Sequence, residues 1–295
     1  MSKRFTYYGA LAALTYFTGL FGVPAIGVSV RKLNSVLTNS IRVRRSSNNN
    51  ELSIAFDGTL PDANINESDL TTFVGANNGF VPRWIDQQTT NNDLVQTTAS
   101  NQLTLVSSGT IIRSNGIAAL QGGEYRGFKI DNNIALGSNI WLFFTLDVSD
   151  TEPAQVLYEN TSNYNDNNGA LIIYITGGNL ILSQRTDTSS GGGYCQVSLP
   201  LSTGRQVLTI NVRSGQTAAN FARVWINGVA QTMTVSSLGT QNSVSFINTD
   251  SYVFSRTGNA FGFRGKSQEF LLYNADKASQ RAAMETNMKI HYGIL

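Results

Sequence analysis

The feature that most constrains the fold is a series of short apolar or alternating runs, separated by turns rich in glycine and asparagine. The runs have the length and the β-branched and aromatic content of strands. They are SIRVRR (40–45), LSIAF (52–56), LTLVSS (103–108), IWLFFTLDV (140–148), AQVLYEN (154–160), ALIIYIT (170–176), LILSQ (180–184), QVLTINV (206–212), ARVWING (222–228), SYVFSR (251–256) and QEFLLYN (268–274). Turns such as TGGN and NG are typical of connections between paired strands. The pattern predicts an all-β sandwich or barrel.

Helical signals are few. The stretch LTTFVGA (70–76) is compatible with a short helix, for which Ser68 is the expected N-cap. A second, C-terminal helix is predicted after Asn274 or Asp276, because apolar residues such as Met284 and Met288 recur there at helical spacing. We expect this helix to pack on the sandwich.

The composition narrows the class of protein. Charged residues make up 14% of the chain, against about 25% in ordinary soluble domains, and low charge is common in extracellular β-proteins and virion proteins. The net charge of +2 produces no long-range field that would attract nucleic acid. Cys195 and His291 are the single cysteine and histidine, so an intrachain disulfide and a Cys/His zinc site are both excluded.

The N-terminal residues 5–30 contain no charged side chain. Basic residues flank the run on both sides: Lys3, Arg4, Arg31 and Lys32. A signal peptide, a membrane helix and a buried helix followed by a strand all fit this pattern, although Pro24 and several glycines weaken a continuous helix. We expect an apolar docking segment at 1–30 and a β-sandwich domain at 31–295.

Two halves of the chain carry a family resemblance. The stretches FARVWINGVAQTMTV and FGFRGKSQEFLLYNADKASQ resemble the closing half of laminin-G-like and concanavalin-type jelly rolls. The segment RVRRSS (42–47) and the Asp86–Gln87 pair resemble the sandwich of α-L-arabinofuranosidase B and of a group of bacteriophage structural and tail proteins. The C-terminal segment QRAAMETNMKIHYGI is similar to the C-terminal tail of the phage proteins. The resemblance implies a concanavalin/laminin-G-like jelly-roll β-sandwich over roughly residues 25–295.

The family pattern after Asp86 reads D-Q-S-G-x-G-N, whereas this chain reads D-Q-Q-T-T-N-N. Asn91 and Asn92 are the residues best able to replace the missing glycines, because asparagine tolerates the left-handed backbone region. We therefore expect Asp86, Gln87, Asn91 and Asn92 to form a structural turn that is held by side-chain hydrogen bonds.

Glycoside hydrolysis needs two carboxylates that flank the sugar bond. Several carboxylates lie in or beside the predicted strands: Asp86, Asp147, Glu159 and Glu269. No pair of them has a recognisable spacing, and the hydrolase's catalytic residues match no motif in this chain. The sequence therefore predicts no enzyme activity.

Binding candidates lie in the polar loops. Tyr164 and Tyr194 are the tyrosines that we expect to contact a glycan. The loop NYNDNNG places Asn163, Asn165, Asp166 and Asn167 together, which are oxygen ligands suited to Ca²⁺. A solvated asparagine-rich turn is the alternative that we favour for this loop; no other cofactor is expected.

These observations lead to a functional hypothesis. The resemblance, the low charge and the absence of disulfides predict a virion structural protein of a tailed bacteriophage, such as a capsid decoration, fibre or tail-associated component. It would be located in the virion, dock on other virion proteins through residues 1–30, occur as a homo-oligomer or in many copies, and bind host-surface glycans but not nucleic acid. The alternatives are a secreted arabinofuranosidase-like enzyme or lectin, and a membrane-anchored surface protein spanning the bilayer with residues 5–23.

Overall fold

In the computed structural model, which describes residues 15–88, 92–187, 193–236 and 242–295, the apolar runs form the strands of two packed layers. The fold is an all-β sandwich with short helices, which confirms the class expected from the sequence. Every strand pair in the sheets is antiparallel, as expected for strands that are joined by tight turns.

The strands of the first part of the chain are β1 (Ile26–Ser29), β2 (Asn39–Arg45), β3 (Glu51–Ala55), β4 (Gly79–Trp84), β5 (Leu94–Val95), β6 (Leu103–Ser107), β7 (Thr110–Ile111), β8 (Arg113–Ser114), β9 (Ile117–Ala118), β10 (Leu120–Gln121) and β11 (Phe128–Ile130). Those of the second part are β12 (Asn139–Val148), β13 (Gln155–Glu159), β14 (Leu171–Thr176), β15 (Asn179–Arg185), β16 (Tyr194–Pro200), β17 (Gly204–Arg213), β18 (Ala222–Ile226), β19 (Val229–Ala230), β20 (Thr234–Val235), β21 (Tyr252–Val253) and β22 (Lys266–Tyr273). The helices are α1 (Phe17–Phe21), α2 (Glu67–Val74), α3 (Ala218–Phe221) and α4 (Arg281–Tyr292), with a 3-10 turn at Ala99–Asn101.

The first layer has the order β18–β17–β12–β22–β1. Strand β10 also pairs with β22, at Lys266 and Ser267, which precede the residues of β22 that pair with β1. In its centre Phe144 of β12 lies opposite Leu208 on one side and Phe270 on the other. Nearly all of β12 is buried. Its sequence is therefore a continuous apolar run, as expected for a strand that is covered on both faces.

The second layer has the order β16–β15–β14–β13–β21–β11–β5–β4–β2–β3. Its inner face packs on the first layer through aromatic rings. Tyr158 of β13 lies 6.4 Å from Phe270, and Phe254 lies 6.2 Å from Phe144, measured between ring centroids. The main apolar core is therefore formed between the two layers.

The outer face of the first layer is covered by helices. Trp141 of β12 stacks on Trp225 of β18, with 5.6 Å between ring centroids. Arg281 of α4 lies over the Trp225 ring, and Lys277, which precedes α4, lies over Tyr273 of β22. These cation–π contacts pair the charged side chains of the α4 region with the aromatic rings of the layer that it covers.

Two hairpins form where the sequence predicts them. Gly177 and Gly178, between β14 and β15, have φ of +58° and +71°. Asn227 and Gly228, between β18 and β19, have φ of +52° and +90°. Positive φ at both central residues is the type I′ geometry that matches the twist of paired strands.

The predicted helix caps are wrong. Helix α2 is capped by Asn66, whose side chain accepts a hydrogen bond from the Asp69 amide at 3.1 Å, so Ser68 lies inside the first turn. Helix α4 begins only at Arg281. Asp276 instead accepts a hydrogen bond from the Ala278 amide at 3.0 Å, a local turn that competes with helix initiation.

The expected boundary at residue 30 does not coincide with a structural boundary. Strand β1 pairs with β22, with Ile26 opposite Leu272, and Phe17 and Phe21 of α1 are buried. Residues 15–30 are therefore part of the sandwich, while residues 1–14 lie outside the described part of the chain. No helix within the described ranges has the length and apolar character that a bilayer crossing requires.

One buried ion pair joins the elements around β22. The guanidinium of Arg31 donates from Nε and Nη2 to the two carboxylate oxygens of Glu269, at 2.7 and 3.0 Å. Both side chains are fully buried. The same carboxylate accepts from Ser29 at 2.8 Å and from Tyr292 of α4 at 2.9 Å. Burial favours a lower pKa for Arg31, but the attraction of Glu269 and Asp62 outweighs it, so the pKa lies above its ordinary value.

We expect Glu269→Gln to lower the free energy of unfolding by about 3 kcal/mol, because it leaves the buried guanidinium of Arg31 with only the partly exposed Asp62 as a counter-charge. Urea unfolding measures the change. The matched control is Glu51→Gln, which removes an exposed pair with Arg42 at 3.8 Å and should cost about 1 kcal/mol or less. Equal losses in the two variants would contradict the structural role of the buried pair.

Candidate functional site

A cavity of about 410 Å³ opens on the outer face of the second layer, across β14, β15 and β16. Odd-numbered residues of β14, such as Leu171 and Ile173, point into the core. The even-numbered Ile172 and Tyr174 therefore point outward, because side chains alternate along a strand. The outward side chains from the three strands that line the cavity are Ile172, Tyr174, Ser183, Arg185, Tyr194 and Gln196. We call this cavity the tyrosine pocket.

Strand register fixes which of these side chains are neighbours. Arg185 of β15 lies directly opposite Tyr194 of β16, and Ser183 lies opposite Gln196. Cross-strand partners on one face have Cβ atoms about 5 Å apart. The guanidinium, phenol, hydroxyl and amide groups are therefore held within reach of a single small ligand.

The two tyrosines expected from the sequence both line this pocket. Tyr164 comes from the loop between β13 and β14, and its hydroxyl lies 2.6 Å from the hydroxyl of Ser183. Burial raises the pKa of Tyr164 to about 12, so the group is a neutral phenol that can both donate and accept a hydrogen bond. Tyr194 is half-buried on β16.

Sequence reasoning missed Tyr174, the third ring of the pocket. It lies in an apolar strand, where most aromatic residues belong to a core. The alternation of side chains along the strand was the available signal. Leu171, Ile173 and Ile175 are all buried in the core, so Tyr174 lies on the opposite face of β14. Burial raises the pKa of Tyr174 above its ordinary value, so this hydroxyl also stays protonated.

One rim of the pocket comes from the segment 254–261, which contributes Arg256 and Phe261. Three non-glycine residues of this segment have positive φ: Phe254 (+64°), Thr257 (+52°) and Phe261 (+49°). The left-handed region costs about 1–2 kcal/mol for an L-residue. Half of the Phe261 side chain is nevertheless exposed, so burial of the ring does not fully offset this strain.

Beneath the rim, a buried carboxylate pairs with Arg256. Glu159 of β13 is fully buried, and its Oε1 lies 3.5 Å from the Arg256 Nε. Its Oε2 accepts a hydrogen bond from the Thr257 amide at 3.2 Å. Burial raises the pKa of Glu159 to about 7, although the Arg256 charge and the Thr257 hydrogen bond oppose the shift.

The asparagine-rich loop beside the pocket is closed by its own side chains. Asn163 donates from its amide to the Asp166 carboxylate, and Asn167 donates to Thr161 Oγ1 at 2.7 Å and to the Asn163 carbonyl at 2.8 Å. Asn165 lines the tyrosine pocket. Within the described residues no group of three His, Cys, Asp or Glu side chains is placed to hold a metal. A Ca²⁺ ion at this loop stays a prediction, with Asp166 and the neighbouring amide oxygens as its ligands.

Asp86 and Gln87 contact the N-terminal strand region rather than the pocket. Asp86 accepts from the Gly27 amide at 2.8 Å and from the Asn92 amide at 3.2 Å. Gln87 accepts from the Leu33 amide at 2.7 Å. Both side chains are buried, whereas Asn91 lies outside the described residues. These bonds connect residues 86 and 87 to the β1 region, and Asp86 to Asn92.

No protein-family model matches the chain, and no curated protein sequence matches it. Its fold is similar to an arabinofuranosidase complexed with arabinofuranosyl-α-1,2-xylobiose, with 12% identity and a TM-score of 0.66. It is also similar to a GH54 α-L-arabinofuranosidase soaked with a cyclic sulfate inhibitor, with 12% identity and a TM-score of 0.63. Each match covers 91% of this chain but only 63% of the enzyme chain.

A weaker likeness is to the Ruminococcus gnavus IT-sialidase CBM40, with 14% identity and a TM-score of 0.41 over 56% of this chain and 94% of the other. At these identities the comparisons show the β-sandwich fold alone.

We expect Asp86→Ala to lower the free energy of unfolding by about 2 kcal/mol, because it leaves the buried Gly27 amide and the partly buried Asn92 amide without their carboxylate acceptor. Asp150→Ala is the control, since Asp150 also accepts from a backbone amide, that of Glu152 at 3.0 Å, but at an exposed site. It should change stability by about 0.5 kcal/mol or less. Unaltered stability of the Asp86 variant in chemical denaturation would refute the assignment of Asp86 as a structural residue.

The raised pKa of Glu159 predicts a pH dependence of stability. Between the ordinary value of 4.5 and about 7, the folded protein holds a proton that the unfolded chain releases, so this group's contribution to stability falls as pH rises. Glu159→Gln cannot ionise. Its stability relative to the native protein should therefore rise between pH 5 and pH 8, by up to about 3 kcal/mol. The exposed Glu152→Gln is the control, and a Glu159→Gln difference that stays as flat as that control would contradict the prediction.

Proposed function

We propose that this chain is a carbohydrate-binding β-sandwich protein that takes a glycan into the tyrosine pocket without cleaving it. The observation that carries the proposal is the convergence of Tyr164, Tyr174 and Tyr194 on one surface cavity together with two arginines. Aromatic rings offer flat apolar surfaces for the C–H faces of sugars, and a few placed polar groups give orientation.

The polar groups of the pocket match the hydroxyls of a sugar. The Tyr164–Ser183 hydroxyl pair can donate and accept, and Gln196 offers both an amide donor and a carbonyl acceptor. Arg185 adds planar N–H donors beside the Tyr194 ring. Because Ser183, Arg185 and Gln196 lie on the paired strands β15 and β16, their spacing is set before the ligand arrives.

Binding rather than cleavage is proposed from the chemistry of the lining. Hydrolysis of a glycosidic bond uses two carboxylates that flank it, whereas the pocket lining described above consists of phenol, hydroxyl, amide, guanidinium and apolar groups. Glu159 is fully buried and contacts Arg256. We assign Glu159 the role of orienting the Arg256 guanidinium at the rim.

The comparisons guide the choice of glycan. The arabinofuranosidase of similar fold is complexed with arabinofuranosyl-α-1,2-xylobiose, so arabinose-containing glycans are the first set to test. We further propose that the protein belongs to the virion of a tailed bacteriophage, in which many copies docked on other virion proteins would hold a host-surface glycan. The sequence resemblance and the low charge of the chain support this setting, and mass spectrometry of purified particles would test it.

We expect the protein to bind one or more members of a glycan array that includes arabinans, arabinoxylan fragments and sialylated glycans. Tyr174→Ala and Tyr194→Ala should each weaken that binding about tenfold in calorimetry, since the loss of a stacked ring is worth about 1.4 kcal/mol. Arg185→Gln should weaken it as well, whereas Arg223→Gln, at an exposed position on β18, serves as the matched control and should leave the affinity unchanged.

Two results would overturn the proposal. One is an array without binding, and the other is binding that both tyrosine variants leave intact. Release of 4-nitrophenol from 4-nitrophenyl α-L-arabinofuranoside would separately contradict the absence of cleavage.

A further inference from the structure

A second cavity, of about 320 Å³, adjoins the tyrosine pocket. The two share Ala154 and Phe261 as wall residues. The remaining wall of the second cavity includes Tyr125, Pro153 and Arg264. We call it the adjoining cavity, and together the two form one groove with Phe261 at their junction.

The adjoining cavity, like the tyrosine pocket, is lined by aromatic rings and a guanidinium group. Tyr125 and Phe261 are 58% and 50% exposed, so each presents ring surface to solvent. The exposed Glu124 pairs with the partly buried Arg264, with 3.5 Å between Oε2 and Nη2. A half-exposed aromatic ring beside a carboxylate–guanidinium pair offers stacking surface together with donors and acceptors for sugar hydroxyls.

The backbone of Phe261 supports a ligand-binding role for its ring. Its φ of +49° is a rare conformation for a bulky residue. The peptide group between Phe261 and Gly262 is fixed by two hydrogen bonds, because the Phe261 carbonyl accepts from the Val156 amide at 2.7 Å and the Gly262 amide donates to the Glu124 carbonyl at 2.7 Å. A Cβ at Gly262 would lie 2.0 Å from the Gly123 carbonyl oxygen, so the chain is closely packed here. Strain that is locked in place around a solvent-facing side chain is typical of ligand sites.

We propose that the adjoining cavity is a second sugar subsite and that Phe261 is the ring shared by both subsites. The natural ligand is then an oligosaccharide of at least two units that lies along the groove, rather than a single terminal sugar. This inference rests on the proposed glycan-binding function of the tyrosine pocket.

Calorimetry with arabino-, xylo- and manno-oligosaccharides of one to six units tests the inference. For the series that binds, affinity should rise at least tenfold from one unit to two or three units and then level off. Tyr125→Ala should abolish this gain while the affinity for the monosaccharide changes less than twofold. Tyr194→Ala should weaken binding at every length, because its ring belongs to the first subsite.

Two Phe261 variants separate binding from folding. Phe261→Ala and Phe261→Gly both remove the shared ring, so both should lose the gain with length. Glycine accepts positive φ without strain, so the Phe261→Gly variant should have a Tm at least as high as the Phe261→Ala variant. Val229→Ala, at an exposed apolar residue of β19, should alter neither affinity nor Tm.

The outcomes distinguish the two proposals. Affinity that is independent of length and unaffected by Tyr125→Ala overturns the second subsite, while the proposed function stands. Failure of all three series and of the glycan array overturns both proposals together.

Discussion

The buried Arg31–Glu269 pair is the interaction on which the arrangement of the first layer depends. Moving both charges out of water is costly, and the cost is offset only when every donor and acceptor around them is satisfied. Ser29, Tyr292 and Asn287 provide those partners. Because they come from the end of β1 and from α4, the hydrogen bonds are complete only when strand, helix and β22 occupy their native positions. The pair therefore specifies one packing of α4 on the sheet.

The two layers differ in how their outer faces are covered. With helices on its outer face, the first layer is buried on both sides and carries continuous apolar strands. The second layer keeps its outer face in contact with solvent around β14 to β16, and there the alternation of side chains is retained. Tyr174 and Tyr194 occupy outward-facing positions of this alternation.

Local signals in the sequence were sufficient for much of the fold. Strands such as β12 and the turns at Gly177–Gly178 and Asn227–Gly228 depend on residues that are neighbours in sequence. Strand β1 was expected only in one of three interpretations of the N-terminal run, a buried helix followed by a strand, because its four residues lie within a long uncharged run in which no alternation marks a strand. The helix caps were misplaced because serine, asparagine and aspartate are suited both to capping helices and to local turns, and several of them lie close together before each helix.

The candidate site was less predictable. Tyr164 and Tyr194 were found because they lie beside polar turns, whereas Tyr174 was concealed by its apolar strand. The Glu159–Arg256 pair and the bond from Gly27 to Asp86 join residues that are far apart in sequence. Asp86 was expected to support its own turn, but much of its role depends on a strand that is distant along the chain. Which distant residues come into contact depends on the topology of the fold, and composition and periodicity give no information about topology.

The pairing of β22 between β12 and β1 has a consequence for synthesis on the ribosome. The roughly 120 residues from Val148 to Lys266 take roughly 6 to 24 s to translate at ordinary rates. During that interval β12 and β1 have been made, but the strand that joins them has not. The nascent chain therefore exposes apolar strand edges until late in translation, and nearby copies or chaperones compete for them. Elongation rate, and not only final stability, then governs the yield of folded protein.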